Sequence, residues 1–144
     1  MLKHIPALLT PDALHALASM GHGDELAIVD AHFPAARVAA QGRARLVHLP
    51  GADLATAARA VLQLMPLDEQ GDAAAHTMQV IGDAAAVPPA VAEVQALLRD
   101  AGERPAAVLE RFAFYERATR AYAILASGET RTYGNLLLRK GVVR

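Results

Sequence analysis

The stretch Glu25-Leu26-Ala27-Ile28-Val29-Asp30 decides how this 144-residue chain folds. Four apolar residues run unbroken between two acids, without the alternation of a half-exposed strand. The run predicts a strand buried on both faces, as in a sheet covered by helices on each side. Asp30 then stands at the C-terminal end of that strand. Ahead of it the polar loop Gly21-His22-Gly23-Asp24 follows a helix predicted to start at Thr10-Pro11-Asp12. There Thr10 caps free amides, Pro11 has no amide to leave unpaired, and Asp12 suits the positive helix end. Leu14 and Leu17 share the buried face of that helix, and Gly21 stops it.

Further along, Arg43 to Leu49 predicts a second strand. The next helix carries Leu54, Ala58, Val61 and Met65 at the 3.6-residue period until Pro66 ends it. His76 to Ile81 is a third strand candidate, and Pro88-Pro89 opens a helix with Val91, Val94 and Leu98 inward and Gly102 as its stop. Ala106 to Leu109, Ala121 to Ala126 and Leu136 to Leu138 complete the strands, with a short helical or irregular segment around Phe112 to Arg117. Strands alternating with helices predict a single α/β domain over residues 1–144, a three-layer α/β/α arrangement. The short link from 109 to 121 predicts a mixed, though largely parallel, sheet.

Composition narrows the function. Hydrophobic residues make up 53% of the chain but aromatics only 4%, with no Trp, so the core is expected to consist of Leu, Val, Ile and Ala in close layers. Lys and Arg number 14 against 15 Asp and Glu, a net charge of -1, which gives no cationic surplus for a phosphate backbone or an anionic membrane surface. Neither nucleic acid nor membrane is an expected partner. The absence of Cys excludes disulfides, thiolate metal sites and a Cys nucleophile, and it fits a reducing compartment. No apolar run reaches the roughly 18 residues that span a bilayer, and Met1-Leu2-Lys3-His4 lacks the features of a signal peptide. Cytoplasm is the expected location.

Open α/β sheets place ligand sites at the C-terminal ends of their strands, which singles out Asp30 and His32, with His22 able to fold back toward them. A carboxylate beside an imidazole holds its tautomer and tunes its basicity near neutral pH, as general acid-base work requires. A solvated loop His and an Asp that merely ends a strand explain the same spacing. Two imidazoles and a carboxylate, His22, Asp30 and His32, could also hold zinc or iron. Gly21-x-Gly23 lacks the preceding strand and longer glycine spacing of a phosphate loop, and neither Ser19 nor Ser127 has a nucleophile context.

The C-terminal third concentrates polar and aromatic groups in Arg111-Phe112-Ala113-Phe114-Tyr115-Glu116-Arg117 and Tyr133-Gly134-Asn135. Aromatic faces beside Arg, Asn and backbone amides suit a sugar, which presents apolar C–H patches and fixed hydroxyls. Core aromatics with surface ion pairs are the plainer account, for Phe112 or Phe114 in particular.

These segments, together with Met20-Gly21-His22-Gly23-Asp24-Glu25, Asp30-Ala31-His32-Phe33-Pro34-Ala35 and Lys140-Gly141-Val142, resemble the L-fucose mutarotase and D-ribose pyranase family. The likeness runs from the first residues to the last and is looser between about 37 and 105. The resemblance implies an RbsD-like fold and a cofactor-independent isomerase that interconverts the α and β anomers of L-fucose, and also pyranose and furanose forms of ribose. It carries the catalytic His onto His22 and the substrate contacts onto Asp30, Arg111, Tyr133, Gly134 and Asn135. His32 and Tyr115, beside these, are candidate supporting residues, and no metal is expected. The Arg111 segment looks like the fucose branch, since the ribose branch carries His there.

The resemblance also implies a ring-shaped homo-oligomer, commonly decameric, with sites near subunit boundaries. Leu136-Leu137-Leu138 with Val142-Val143 adds a reason from the sequence, being too apolar to leave in water. Anomer exchange needs only proton transfers at the anomeric hydroxyl and the ring oxygen, which agrees with the lack of metal, thiol and nucleotide motifs. Two other functions stay open: a sugar-binding or regulatory module without turnover, and a metal-dependent small-molecule isomerase or hydrolase on His22, Asp30 and His32.

Overall fold

The computed structural model describes residues 1–144. Its elements are α1 (Pro11–Ser19), β1 (Glu25–Val29), α2 (Ala35–Gln41), β2 (Arg45–Leu49), α3 (Leu54–Leu62), β3 (Ala75–Met78), α4 (Pro89–Asp100), β4 (Ala107–Leu109), α5 (Arg111–Arg120), β5 (Ala123–Ser127) and β6 (Leu136–Arg139). The strands form one sheet of order β2-β5-β1-β6-β3-β4. β1 and β2 each run parallel to β5, and β3 runs parallel to β4, whereas β6 is antiparallel to both β1 and β3. The sheet is mixed as expected, but for a different reason. The link from 109 to 121 holds a ten-residue helix that carries the chain from the edge strand β4 across to β5, and the antiparallel strand is the last one.

The alternation of β1 divides the core into two layers. Leu26 and Ile28 pack with Leu54, Val61, Val94 and Leu98 of α3 and α4 and with Ala13 and Leu17 of α1. Ala27 and Val29 pack with Val38 of α2 and with Phe114 and Ala118 of α5. Leu26 to Val29 are all fully buried, so the unbroken apolar run is matched by helices on both sides. Each Leu or Ile so buried contributes about 1.5–3 kcal/mol. Thr10 caps α1, its hydroxyl accepting from the Ala13 amide at 3.2 Å. No helix is long and apolar enough to cross a membrane.

Several elements depart from the sequence reading. α2 was not expected, because Ala35 and Val38 alone point inward and so sparse a stripe has no apolar period. The segment around Phe112 to Arg117 is a full helix because the Glu110 carboxylate caps it, accepting from the amides of Phe112 and Ala113 at 2.8 and 3.2 Å. Glu is not among the favoured capping residues, so this start carries little sequence signal. The third strand stops at Met78, where the chain enters a turn at Val80 and Asp83 and leaves Ile81 exposed. α3 ends at Leu62, short of Met65. Leu136 to Leu138, expected to drive assembly, are fully buried in the chain's own sheet; of that apolar group only Val142 and Val143 reach solvent.

Candidate functional site

Asp30 follows β1 and is 4% exposed. One carboxylate oxygen accepts from the amides of His32 at 3.0 Å and Phe33 at 2.9 Å, a turn built on its own side chain. The other accepts from the Gly134 amide and from Asn135 Nδ2, both at 3.1 Å. The Asp30 amide donates to Asn135 Oδ1 at 3.0 Å. Four donors use the whole accepting capacity of the carboxylate, so Asp30 organises the site more than it can act as a base. The imidazole of His32 is not part of this arrangement. Its Nε2 lies 2.9 Å from the Thr130 carbonyl oxygen, so the expected carboxylate–imidazole pair of Asp30 and His32 is not made.

The loop between β5 and β6 is fixed from beneath. Glu129 is 2% exposed and ion-paired to Arg131, and it also accepts from the Leu54 amide at 3.2 Å. Hydrogen bonds from the Arg131 guanidinium, opposed by burial, leave its carboxyl lowered to about 2. Tyr133 adopts a φ of +62°, a conformation that costs a bulky residue about 1–3 kcal/mol. Its hydroxyl accepts from the Ile81 amide at 3.3 Å. Gly134 cannot be larger, since a Cβ there would lie 2.6 Å from Glu129 Cγ.

Between these loops and α5 lies a cleft of about 200 Å³ lined by Asp30, His32, Phe33, Met78, Ile81, Arg111, Tyr115, Thr132, Tyr133 and Asn135. Phe33, Met78 and Ile81 supply apolar wall, and Tyr115 stacks at a tilt on Phe33 with ring centres 5.3 Å apart. Arg111, first residue of α5, makes no ion pair. Its guanidinium lies 4.6 Å from the Phe112 ring centre, and its buried Nε has no partner. Glu116, on the same helix, pairs with Arg120.

His22 stands at the other end of the sheet. Its turn is pinned beside the N-terminus of β1 by the Gly23 amide, which donates to the Lys140 carbonyl at 2.9 Å. A five-residue strand separates it from Asp30, about 16 Å of backbone. It does not fold back toward Asp30 and His32, so these three residues cannot share a metal ion within one chain. Its ring Nε2 faces Asp68 Oδ1 at 3.4 Å, and its side chain is 53% exposed.

A family model described as the RbsD / FucU transport protein family matches residues 3–143. The chain belongs to the RbsD/FucU family. Among its relatives, the human fucose mutarotase is 43% identical over 99% of this chain and 94% of its own length. The L-fucose mutarotase of Histophilus somni strain 2336 is 40% identical over 99% of this chain and 97% of its own. A solved fucose mutarotase from Streptococcus pneumoniae, in complex with L-fucose, superposes with a TM-score of 0.90 at 38% identity, covering 99% of this chain and 100% of that one. Bacillus subtilis RbsD complexed with D-ribose has the same fold, at a TM-score of 0.77 and 21% identity over the full length of both chains.

In this RbsD/FucU chain the structure brings together Asp30, Arg111, Tyr115, Tyr133, Gly134 and Asn135, with His32 at the rim, and leaves His22 apart. Sequence reasoning missed the supporting pair Glu129–Arg131 and the acid beside His22, Asp68. Asp68 carries no local signal, since it reaches His22 from 46 residues away.

Proposed function

We propose that this chain is a fucose mutarotase, a cofactor-independent isomerase that interconverts the α and β anomers of L-fucose. The observation that carries this reading is Arg111, whose buried, partnerless Nε lies at a small cleft otherwise lined by aromatic, apolar and amide groups. Relatives named as fucose mutarotases match the chain end to end at about 40% identity.

Removing the anomeric hydroxyl proton and protonating the ring oxygen breaks the bond between that oxygen and the anomeric carbon. The open aldehyde rotates and recloses on its other face, returning both protons. General acid-base catalysis contributes about 10²- to 10⁴-fold per group. In this reading Arg111 donates to two neighbouring sugar oxygens, and Tyr133, Tyr115 and Asn135 meet its hydroxyls. The apolar wall takes a C–H face. Asp30 and Gly134 shape the cleft that the sugar enters, and His32 borders it.

His22 is the proton-transfer group of this reading, and it reaches the cleft of a neighbouring copy. Support comes from its exposure at the far end of β1 and from exposed Ile81 and Phe112 beside the cleft, surface that a second copy would cover. Joining one end of the sheet to the opposite end of the next is a heterologous contact, the kind that forms a ring when its rotation closes. A decamer is the size the family resemblance implies, and a cytoplasmic location belongs to the same reading.

Exchange NMR on the α and β signals of L-fucose tests the activity. The expected result is accelerated exchange that a chelator leaves unchanged; binding without exchange would make the chain a sugar-binding module. Mixing dissociated His22→Ala and Arg111→Ala subunits tests the shared site. Reassembly should restore about a quarter of the parental sites, those joining an intact Arg111 to an intact His22. No regain would refute a site built from two copies.

A further inference from the structure

We propose that the pocket at the N-terminal ends of β1, β2 and β5 is a second ligand site, one that holds a sugar phosphate. Its volume is about 540 Å³, against about 200 Å³ for the Asp30 cleft at the other end of the sheet. The proposal is independent of the function assigned to that cleft.

The fold gathers cations here. The Arg45 amide donates to the Tyr122 carbonyl at 3.0 Å and the Tyr122 amide to the Glu25 carbonyl at 2.8 Å, so the starts of β2, β5 and β1 lie side by side. Gly42 presses the loop before β2 onto the end of α5. A Cβ there would lie 1.8 Å from the Thr119 carbonyl oxygen, and this close approach brings Arg43 and Arg120 to the same pocket. The whole chain has 15 acids against 14 Lys and Arg, yet the pocket sets Arg43, Arg45 and Arg120 against Asp24 alone. Arg43 and Arg45 take part in none of the chain's ion pairs, and Arg120 has only Glu116, on its own helix, in a pair exposed on both sides. Arg45 donates instead to His15 Nδ1. A guanidinium cannot accept, so the ring hydrogen of His15 is on Nε2 and Arg45 keeps its other donors.

The lining selects the ligand. Guanidinium groups meet phosphate oxygens through paired hydrogen bonds, which suits the charged end of a phosphate monoester. Asp24 gives the pocket a second character. Its Oδ2 accepts from the Gly21 amide at 2.7 Å, which leaves Oδ1 to accept from a hydroxyl. A carboxylate repels phosphate, so Asp24 belongs to the end that meets the sugar. In the strand order β2-β5-β1, Arg45 and Asp24 stand two strands apart, about 10 Å, with Tyr122 between them and packed on the apolar core. An inorganic phosphate is too short to use both ends, whereas a phosphorylated hexose reaches from one to the other. The turn that carries His22 leads away toward β6, where the Gly23 amide meets the Lys140 carbonyl, so the contact proposed for His22 and this pocket lie on opposite sides of β1.

Titration calorimetry of the full chain with glucose 6-phosphate, inorganic phosphate and glucose tests this. Glucose 6-phosphate should bind, with inorganic phosphate and glucose each about tenfold weaker or more. Arg43→Gln and Arg45→Gln, both at exposed positions, should each weaken the ester about tenfold while keeping the parental rate of L-fucose exchange. Added salt should weaken it in the parent. Arg111→Ala should bind it as the parent does; a loss there would put the ester in the Asp30 cleft and refute a second site. No binding of glucose 6-phosphate, equal binding of inorganic phosphate or glucose, or parental affinity in the two pocket variants would each overturn the proposal. Should one pocket variant fail to fold, the other decides. A chain that does not exchange L-fucose is a different failure, which removes the function proposed above and leaves this site standing.

Discussion

Asp30 and Asn135, 105 positions apart, exchange two hydrogen bonds: the Asp30 amide donates to Asn135 Oδ1 at 3.0 Å, and Asn135 Nδ2 donates to Asp30 Oδ2 at 3.1 Å. The pair fastens the start of β6 to the end of β1. Asp30→Asn would place an amide donor against the donors of Gly134 and Asn135. Leaving these buried groups unmatched costs about 1–3 kcal/mol. The expected outcome is loss of both exchange activity and stability, read by NMR and by urea denaturation.

Gly134→Ala tests the same loop from its backbone. A methyl group 2.6 Å from Glu129 Cγ must displace a side chain that is ion-paired and buried. Overpacking of this kind costs about 1–3 kcal/mol. Fucose affinity should fall with it, measured by titration calorimetry.

Arg111→His addresses sugar choice. The guanidinium offers five donors in a rigid fork and the neutral imidazole only one, so the variant should lose more fucose exchange than ribose exchange. The expected difference is about 1.5–3 kcal/mol, the strength of a charged hydrogen bond. An unchanged ratio of the two rates by exchange NMR would remove Arg111 from the specificity.

Glu129 makes the fold acid-sensitive. Its carboxyl lies near 4.5 when unperturbed and is lowered to about 2 in the folded chain, so the unfolded state binds the proton more readily. Its contribution to stability is fully present above about pH 4.5 and is lost as the pH falls toward 2. Glu129→Gln should therefore be less stable than the parent at neutral pH, and the difference should shrink in acid. Thermal melts between pH 2 and 7 check both halves of this expectation.

Buried His76 adds a second, milder acid sensitivity. Burial first, and then the nearby charge of Arg117, hold its imidazole below the ordinary 6.5, so stability should decline as the pH drops beneath that value. His76→Gln should flatten the curve in this range.

The three layers and most of the strands were legible from local pattern, because a fully apolar run and a 3.6-residue period are set by which faces must leave water. What escaped was short or capped by an unusual residue: α2, with two inward side chains, and α5, which starts on Glu110. The cleft residues were legible for a different reason. Arg111, Tyr115, Tyr133 and Asn135 stand out as polar and aromatic groups in a chain otherwise poor in aromatic residues.

By itself the sequence determined the buried central strand, the position of Asp30 at its end, and the chemical character of the residues that follow 110. Only the tertiary structure decided who meets whom. It turned Asp30 from a presumed partner of the His32 ring into the anchor of Gly134 and Asn135, and it put His22 beside Asp68 at the opposite end of β1. The reason is physical: periodicity records which side chains leave water, whereas a hydrogen bond between residues 46 or 105 positions apart depends on strand order and register, which no local pattern contains.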